Sequence, residues 1–565
     1  MFFLFRTLIL LAIPLILIAE GVSWNLGLKS NLGYGEQVGT DYNYFENFIS
    51  GSIELGQWYL DLSLESSQPP EYGFEYQGID RFFLSYIGNA RSLEIGDISA
   101  VFGRGLALNL DENQAIDFDN EIKGLRFTSV FLDNHEIDLL AGIKREYRFY
   151  SPSSDLREPD GQAAYELAGV EATINSENGL WSFIPYTVIS HMKSDFIWQS
   201  IDPDQGSIVT DTVNQNVNAL QSGWGQSIYG DSWDIYLEYN RTWKAYDYPI
   251  VTQSIQQLDD GQILVNGTPD YSQTSQAFNL QLNWFPEWFT TLFEYKRYLN
   301  GPETSSQKRN PMLLATKPLP WQMGPTGIRE HDISLLGNVT HPVDYGDELG
   351  WNLELRKTLT DSWSLVVNAA QTSQSDPSGT PGILPTQDLE RNPWQEYYAE
   401  AEYSGSSFYQ RLLIAYTRSV LSGQSAAEVM EHYTFVPAYL SWHPNEILVL
   451  STVIELQASK VFGELYSGGV LEGHDFQSGH FIASADYEHN YSAAIIWDMS
   501  NDPSLMTGSE TIEHWVSGEV SVKPRDGMWL RASYGKEKGG VRCTGGVCRV
   551  LNPFEGFRFA LEWRL

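Results

Sequence analysis

Only two cysteines, Cys543 and Cys548, occur in 565 residues, so neither a disulfide-built scaffold nor a four-thiolate metal centre is available. Basic residues are also scarce. Against 72 Asp and Glu stand 35 Lys and Arg, a formal net charge of -37, which excludes a nucleic-acid binder because phosphate contacts need a substantial basic surface. Acidic excess fits a polar lumen and surface loops able to attract cations, or simply a large exported chain kept soluble. After the first twenty residues no apolar run reaches the roughly twenty residues a membrane helix requires, so any membrane residence must be by strands. No fixed-period repeat is present, which argues against a soluble propeller or solenoid. Catalytic signatures are missing too. There is no Gly-x-Ser-x-Gly elbow and no His-Glu-x-x-His. Of the ten His residues, His331, His432, His474 and His514 have acidic sequence neighbours, but none is paired with a nucleophile. No enzyme is expected, although a hydrolase assembled from several strands would escape such a search.

What is present is aromatic, glycine-rich and alternating. Trp 18, Tyr 31 and Phe 27 make up 13% of the chain, beside 48 Gly and a charged fraction of 19%. The N-terminus, MFFLFRTLILLAIPLILIAE, has the layout of a secretory signal, with Arg6, an apolar run from Thr7 to Ile18, and small Ala19. Residues 1–19 are read as the signal peptide and 20–565 as the mature domain, an uncleaved anchor being the alternative. An even cysteine count in an exported chain favours a Cys543–Cys548 disulfide closing a small loop in GGVRCTGGVCRV.

The mature chain alternates with period two, as strands between unlike surroundings do. In the closing GFRFALEWRL, Phe557, Phe559, Leu561, Trp563 and Leu565 share one face, expected to meet lipid, and Arg558, Ala560, Glu562 and Arg564 share the other. WDIYLEYN sets Trp233, Ile235, Leu237 and Tyr239 against Asp234, Tyr236, Glu238 and Asn240. Short polar turns (LGQW, LDNH, GDSW, WFPEW, SGSS, HPNE, KPRDG) alternate with long irregular stretches at 191–217, 246–271, 300–327 and 374–392. Near HPVDYGDE and TLTDSW two short connections follow one another, which leaves the strand parity open there. Short turns on one side and long loops on the other are the outer-membrane pattern. The expected fold is all-β: one large antiparallel transmembrane barrel of roughly 22–26 strands, with short periplasmic turns and long extracellular loops, in the outer membrane of a Gram-negative bacterium.

Two blocks carry a resemblance, LEIGDISAVFGRGLALNLDENQAIDFDNEIKGLRF at 93–127 and the cysteine-bearing terminus. They resemble an uncharacterised family of Gram-negative outer-membrane barrels, a domain of unknown function, through Gly96, Asp97, Phe102, Gly103, Gly105, Leu106, Asp119, Asn120, Gly124, Cys543 and Cys548. The resemblance implies a barrel and an outer-membrane address, and no activity. Glycines around Arg104 mark a bend or a close backbone approach. A strand bent inward would bring Asp97 and Arg104 into the lumen as a constriction or internal salt bridge, with Asp111, Glu112, Asp117, Asp119 and Glu121 following as a loop; the alternative is a purely structural kink.

No cofactor or metal is expected beyond loosely bound calcium at acidic loops, where DPDQG at 202–206 offers Asp202 and Asp204 without a full ligand set. Alternation begins at Trp24, straight after the signal, so a TonB-coupled receptor with an N-terminal plug is not expected unless a partner supplies the plug. Two functions follow: a transport channel for cations or small polar solutes, or a plugged, non-conducting structural or partner-binding component of an envelope or surface-export assembly. Expected partners are outer-membrane lipid, the barrel-assembly machinery and other envelope proteins. The loop NPMLLATKPLPWQMGP at 310–325 suits either insertion into the lumen or a partner surface, since apolar residues so dense are not left bare in water.

Overall fold

A computed structural model describes residues 22–565, apart from 38, 72–74, 114–117, 133, 148–161, 202–207, parts of 247–271, 301–317, 340, 342, 376–381, 425–426, 466–469, 506–511 and 545–546. The signal segment 1–19, the DPDQG loop and most of 246–271 therefore lie outside the described residues. The chain forms a closed antiparallel barrel of 24 strands with almost no helix, within the expected range. Closure is direct. The first strand, Val22–Gln37, pairs with the last, Phe554–Arg564, from Gly27↔Arg564 to Gln37↔Phe554. One strand is broken in two, Ala427–Phe435 and Ala438–Asn445. Both halves bond the same two neighbours, and Pro437, which has no N–H to give the ladder, stands at the break.

Alternation explains the two faces. Trp58, Trp181, Trp233, Trp284, Trp363 and Trp529 each stand beside a tight turn and are exposed by 37–46%, an interfacial girdle at the periplasmic rim. Higher up, Ile189, Ile414, Ile495, Val516 and Val520 are more than half exposed. An apolar belt this continuous on a closed barrel, which leaves no strand edge unpaired, belongs in lipid. The protein is an outer-membrane barrel.

The tight turns lie at 56–57, 361–362 and 526–527 on this rim, and the opposite rim carries the long segments 99–121 and 300–347. HPVDYGDE is not a separate short connection; it ends the second long segment, so the strand parity runs unbroken. The stretch 191–217, expected to be irregular, is instead mostly ladder: Trp181–Ile201 pairs with Ile208–Tyr229 out to Ile201↔Ile208. These strands of 21 and 22 residues outrun the roughly ten that span lipid. Beyond the bilayer the outward positions need not be apolar, and the alternation fades from the sequence.

Candidate functional site

The lumen contains protein. The described parts of 99–121 and 300–347 both fold inward from the long-loop rim and meet inside. Asn109 donates its backbone N–H to the Trp321 carbonyl at 2.8 Å and its side-chain amide to the Met323 carbonyl at 3.1 Å. Of the apolar loop at 310–325, residues 318–325 are thus inserted into the lumen, and 310–317 lie outside the described residues.

The first lobe is built on FGRGL. Gly103 and Gly105 have φ of +58° and +92°, a left-handed region that glycine enters without a Cβ penalty. A Cβ on Gly105 would also lie 2.5 Å from the Met323 carbonyl oxygen. This conformation turns two successive N–H groups the same way, forming an anion-receiving nest. Gly103 donates to Glu171 at 2.6 Å and Arg104 donates to Glu238 at 2.8 Å. Glu238 is fully buried and also accepts the hydroxyls of Tyr186 and Tyr236 at 2.7 and 2.8 Å. The Arg104 guanidinium lies 4.1 Å from the Tyr236 ring centre, within cation–π reach. Phe102 is fully buried among Ile98, Leu108, Leu110, Leu167, Val188 and Trp321. Gln221 ties the two segments by donating to the Ala107 carbonyl and accepting from the Trp321 indole, both at 2.8 Å.

The remaining motif residues close this lobe. Asn120 accepts from the Asp111 N–H at 2.5 Å and donates to the Asn109 carbonyl at 2.6 Å, while Asp119 pairs with Lys144. Gly96 and Gly124 face each other across neighbouring strands, where a Cβ on either would strike a backbone carbonyl. Burial pushes the Glu121 carboxyl above its usual range, partly offset by Ser99 and Arg81.

Asp97 and Arg104 are not brought together. Asp97 accepts the Phe82 N–H at 2.7 Å and pairs with Lys123 at 3.3 Å, on the strand parity of exposed Ile95. Arg104 engages Tyr236 and Glu238 instead. The reason is the bend after Ile98: it carries Arg104 into the lumen and leaves Asp97 in the wall at the rim.

The second lobe, the described part of 326–347, is held by charge as well as by apolar contact. Arg329 meets Glu354 at 2.7 Å, His331 hydrogen-bonds Glu396 at 2.8 Å, and Asp332 receives both terminal nitrogens of Arg411 at 2.7 and 2.8 Å. Arg411 also reaches Glu400 at 2.6 Å. His341 and Lys296 converge on buried Glu348. A single helical turn, Ser334–Gly337, seats Leu335 and Leu336 against Leu413, Phe435 and Phe476. Its first two N–H groups, from Ser334 and Leu335, go to Glu455 at 3.1 and 2.8 Å, and Tyr439 donates to the same carboxylate at 2.9 Å. The device of the first lobe recurs in a variant: consecutive backbone N–H groups go to wall glutamates, two in the first lobe and one here, with tyrosine support at Glu238 and at Glu455. The Arg411 guanidinium holds the Asp332 carboxyl below its ordinary range, against the opposing effect of burial.

Sequence reasoning did not single out Glu171, Glu238, Glu348, Glu354, Glu396 or Glu455 as anchors. Their signal was the polar parity of their strands, which WDIYLEYN displays at Glu238. Cys543 and Cys548 face each other in the register of the hairpin Gly540–Thr544 and Val547–Leu551. In the last strand Phe557 and Leu565 are exposed, by 38% and 52%, and Phe559, Leu561 and Trp563 between them are half-buried. On the opposite parity Arg558 meets Glu71 and Glu537 at 2.8 and 3.3 Å. Among the described residues no group of three His, Cys, Asp or Glu is placed to hold a metal ion.

No curated protein matches the chain. Among solved structures it is similar to the ferric enterobactin receptor of Pseudomonas aeruginosa, at 10% identity and a TM-score of 0.48, over 96% of this chain and 81% of that one. The FrpB iron transporter of Neisseria meningitidis is similar at 12% identity and a TM-score of 0.48, over 97% and 82%. The siderophore receptor PirA of Acinetobacter baumannii gives 7% identity and a TM-score of 0.48, over 96% and 80%. One family model covers residues 40–420, more than half of the chain, including FGRGL, its wall partners Glu171 and Glu238, and most of the second lobe's ion pairs. The chain belongs to the family of unknown function DUF6029.

Proposed function

We propose that the protein is a gated outer-membrane conduit for cations or small polar solutes, held shut at rest by its own inward-folded segments. One observation carries this reading: beside the apolar seats of Ile328, Ile333, Leu335 and Leu336, the second lobe is fastened to the wall by a row of ion pairs at Arg329, His331 and Asp332. Buried ion pairs are poor permanent glue, because desolvation consumes most of their attraction and an apolar replacement is often as stable. They do allow separation, since both partners are rehydrated when the lobe lifts. Water entering behind it would meet a wall rich in carboxylates, which favours cations.

The test is conductance of the purified, refolded barrel in a planar bilayer under a salt gradient. Near-zero conductance is expected for the unaltered protein at neutral pH. Cation-selective opening is expected when Arg329→Ala and Arg411→Ala together release the second lobe. A large steady conductance of the unaltered barrel would overturn the resting closure. Silence of the double variant, with the lobe demonstrably released, would favour the plugged structural or partner-binding component instead.

A further inference from the structure

A cavity of about 700 Å³ opens between the segment following Met528–Glu537, the start of the last strand and Asn338 at the edge of the second lobe. Its volume falls in the range of about 300–1,000 Å³ usual for small-molecule sites. Leu505, Leu551, Pro553 and Phe554 supply an apolar lining, and the charged groups are sorted within it. Lys536 is already paired with Glu513. Lys538 is different: its ammonium lies 5.6 Å from the Trp515 ring centre, and no carboxylate among the described residues comes within ion-pair distance. Burial pushes this ammonium below its ordinary range, with Asp498 and Asp502 only partly opposing. Elsewhere in the lining, Glu36 and Glu555 are direct partners in the register of the first and last strands, and both are exposed. Like charges directly opposite one another destabilise a strand pair; Lys536 stands opposite Glu555 on its other side but is engaged by Glu513, so a further cation beside the two glutamates lowers that cost.

We propose that this cavity binds an amino acid or short peptide in its zwitterionic form, with the carboxylate on Lys538, the ammonium between Glu36 and Glu555, and an apolar side chain against Leu551 and Phe554. A plain anion would satisfy Lys538 but meet the two glutamates, and a plain cation would do the reverse. A ligand carrying both charges on an apolar body satisfies all three groups. The inference is independent of whether the barrel opens, because it concerns binding and not passage.

The experiment is titration calorimetry on the refolded full-length mature barrel in detergent, with the dipeptide Leu-Leu as probe. Saturable binding is expected, weakened about tenfold or more when the probe's amine is acetylated or its carboxylate amidated, the scale of losing a hydrogen bond to a charged group. Lys538→Met should weaken free Leu-Leu by a similar factor and leave the amidated probe unchanged. Glu36→Gln should abolish the preference for the free amine. Folding of each variant is checked by its heat-dependent migration on a gel. Absence of saturable binding, equal binding of free and capped probes, or indifference to Lys538→Met in a folded barrel would each overturn the proposal.

Discussion

The two lobes inside the barrel reach the same end by different physics. Around Phe102 the inserted chain lies on an apolar bed of Ile98, Leu108, Leu110, Leu167, Val188 and Trp321, and its one cation there, Arg104, is stacked on Tyr236. Around Asp332 the inserted chain is fastened by the pairs Arg329–Glu354, Arg411–Asp332 and His331–Glu396, beside the apolar seats of Ile328, Ile333, Leu335 and Leu336. Burial of apolar surface is favourable whatever the pH or salt, whereas ion pairs depend on both. On the proposed reading the first lobe is the fixed part of the lumen filling and the second the part that conditions move. Both share the wall-glutamate clamp, which puts part of the large acidic excess to use as acceptors for inserted backbone.

The comparison breaks most visibly at Phe102. Phe102→Ala removes a fully buried ring and is expected to cost about 3–5 kcal/mol, read as a lowered denaturation midpoint with loss of amide protection across 100–110. If protection across 329–336 falls equally, the lobes form one cooperative unit and the contrast fails. A smaller effect is expected from Glu455→Ala, which strands the N–H groups of Ser334 and Leu335 at about 1–3 kcal/mol. Hydrogen exchange should quicken at those two amides and stay slow at Gly103 and Arg104.

The subtlest separation comes from pH. Asp332 has a lowered pKa, so its contribution is present above its unfolded value and is lost as pH falls through its folded value, below about 4. Glu121 has a raised pKa, so its contribution has the opposite sign: it is present below the unfolded value and lost as pH rises through the folded one. Acidification from neutral should loosen 329–336 first and leave the first lobe at least as well protected. Exchange measured at a series of pH values checks this, and simultaneous loosening would contradict it.

Much of the fold was readable in particular residues. GFRFALEWRL and WDIYLEYN announced strands with two unlike faces because a period of two is local, and turns such as LGQW and GDSW announced one tight-turn rim for the same reason. FGRGL was readable as a bend, since glycine at positive φ is a backbone property. Its partners were not. Arg104 meets Glu238 at a separation of 134 residues and Ser334 meets Glu455 at 121, and no local pattern encodes which glutamate of which strand will stand opposite. Asp97 illustrates the converse: close to Arg104 in sequence, it stays in the wall because the chain bends between them. Short-range alternation and turn chemistry were enough for the antiparallel barrel and the two faces of each strand. That the lumen is occupied, by which segments, and through which wall partners was legible nowhere in the local pattern, because those contacts form once 24 strands have closed a ring and brought distant glutamates around the inserted chain.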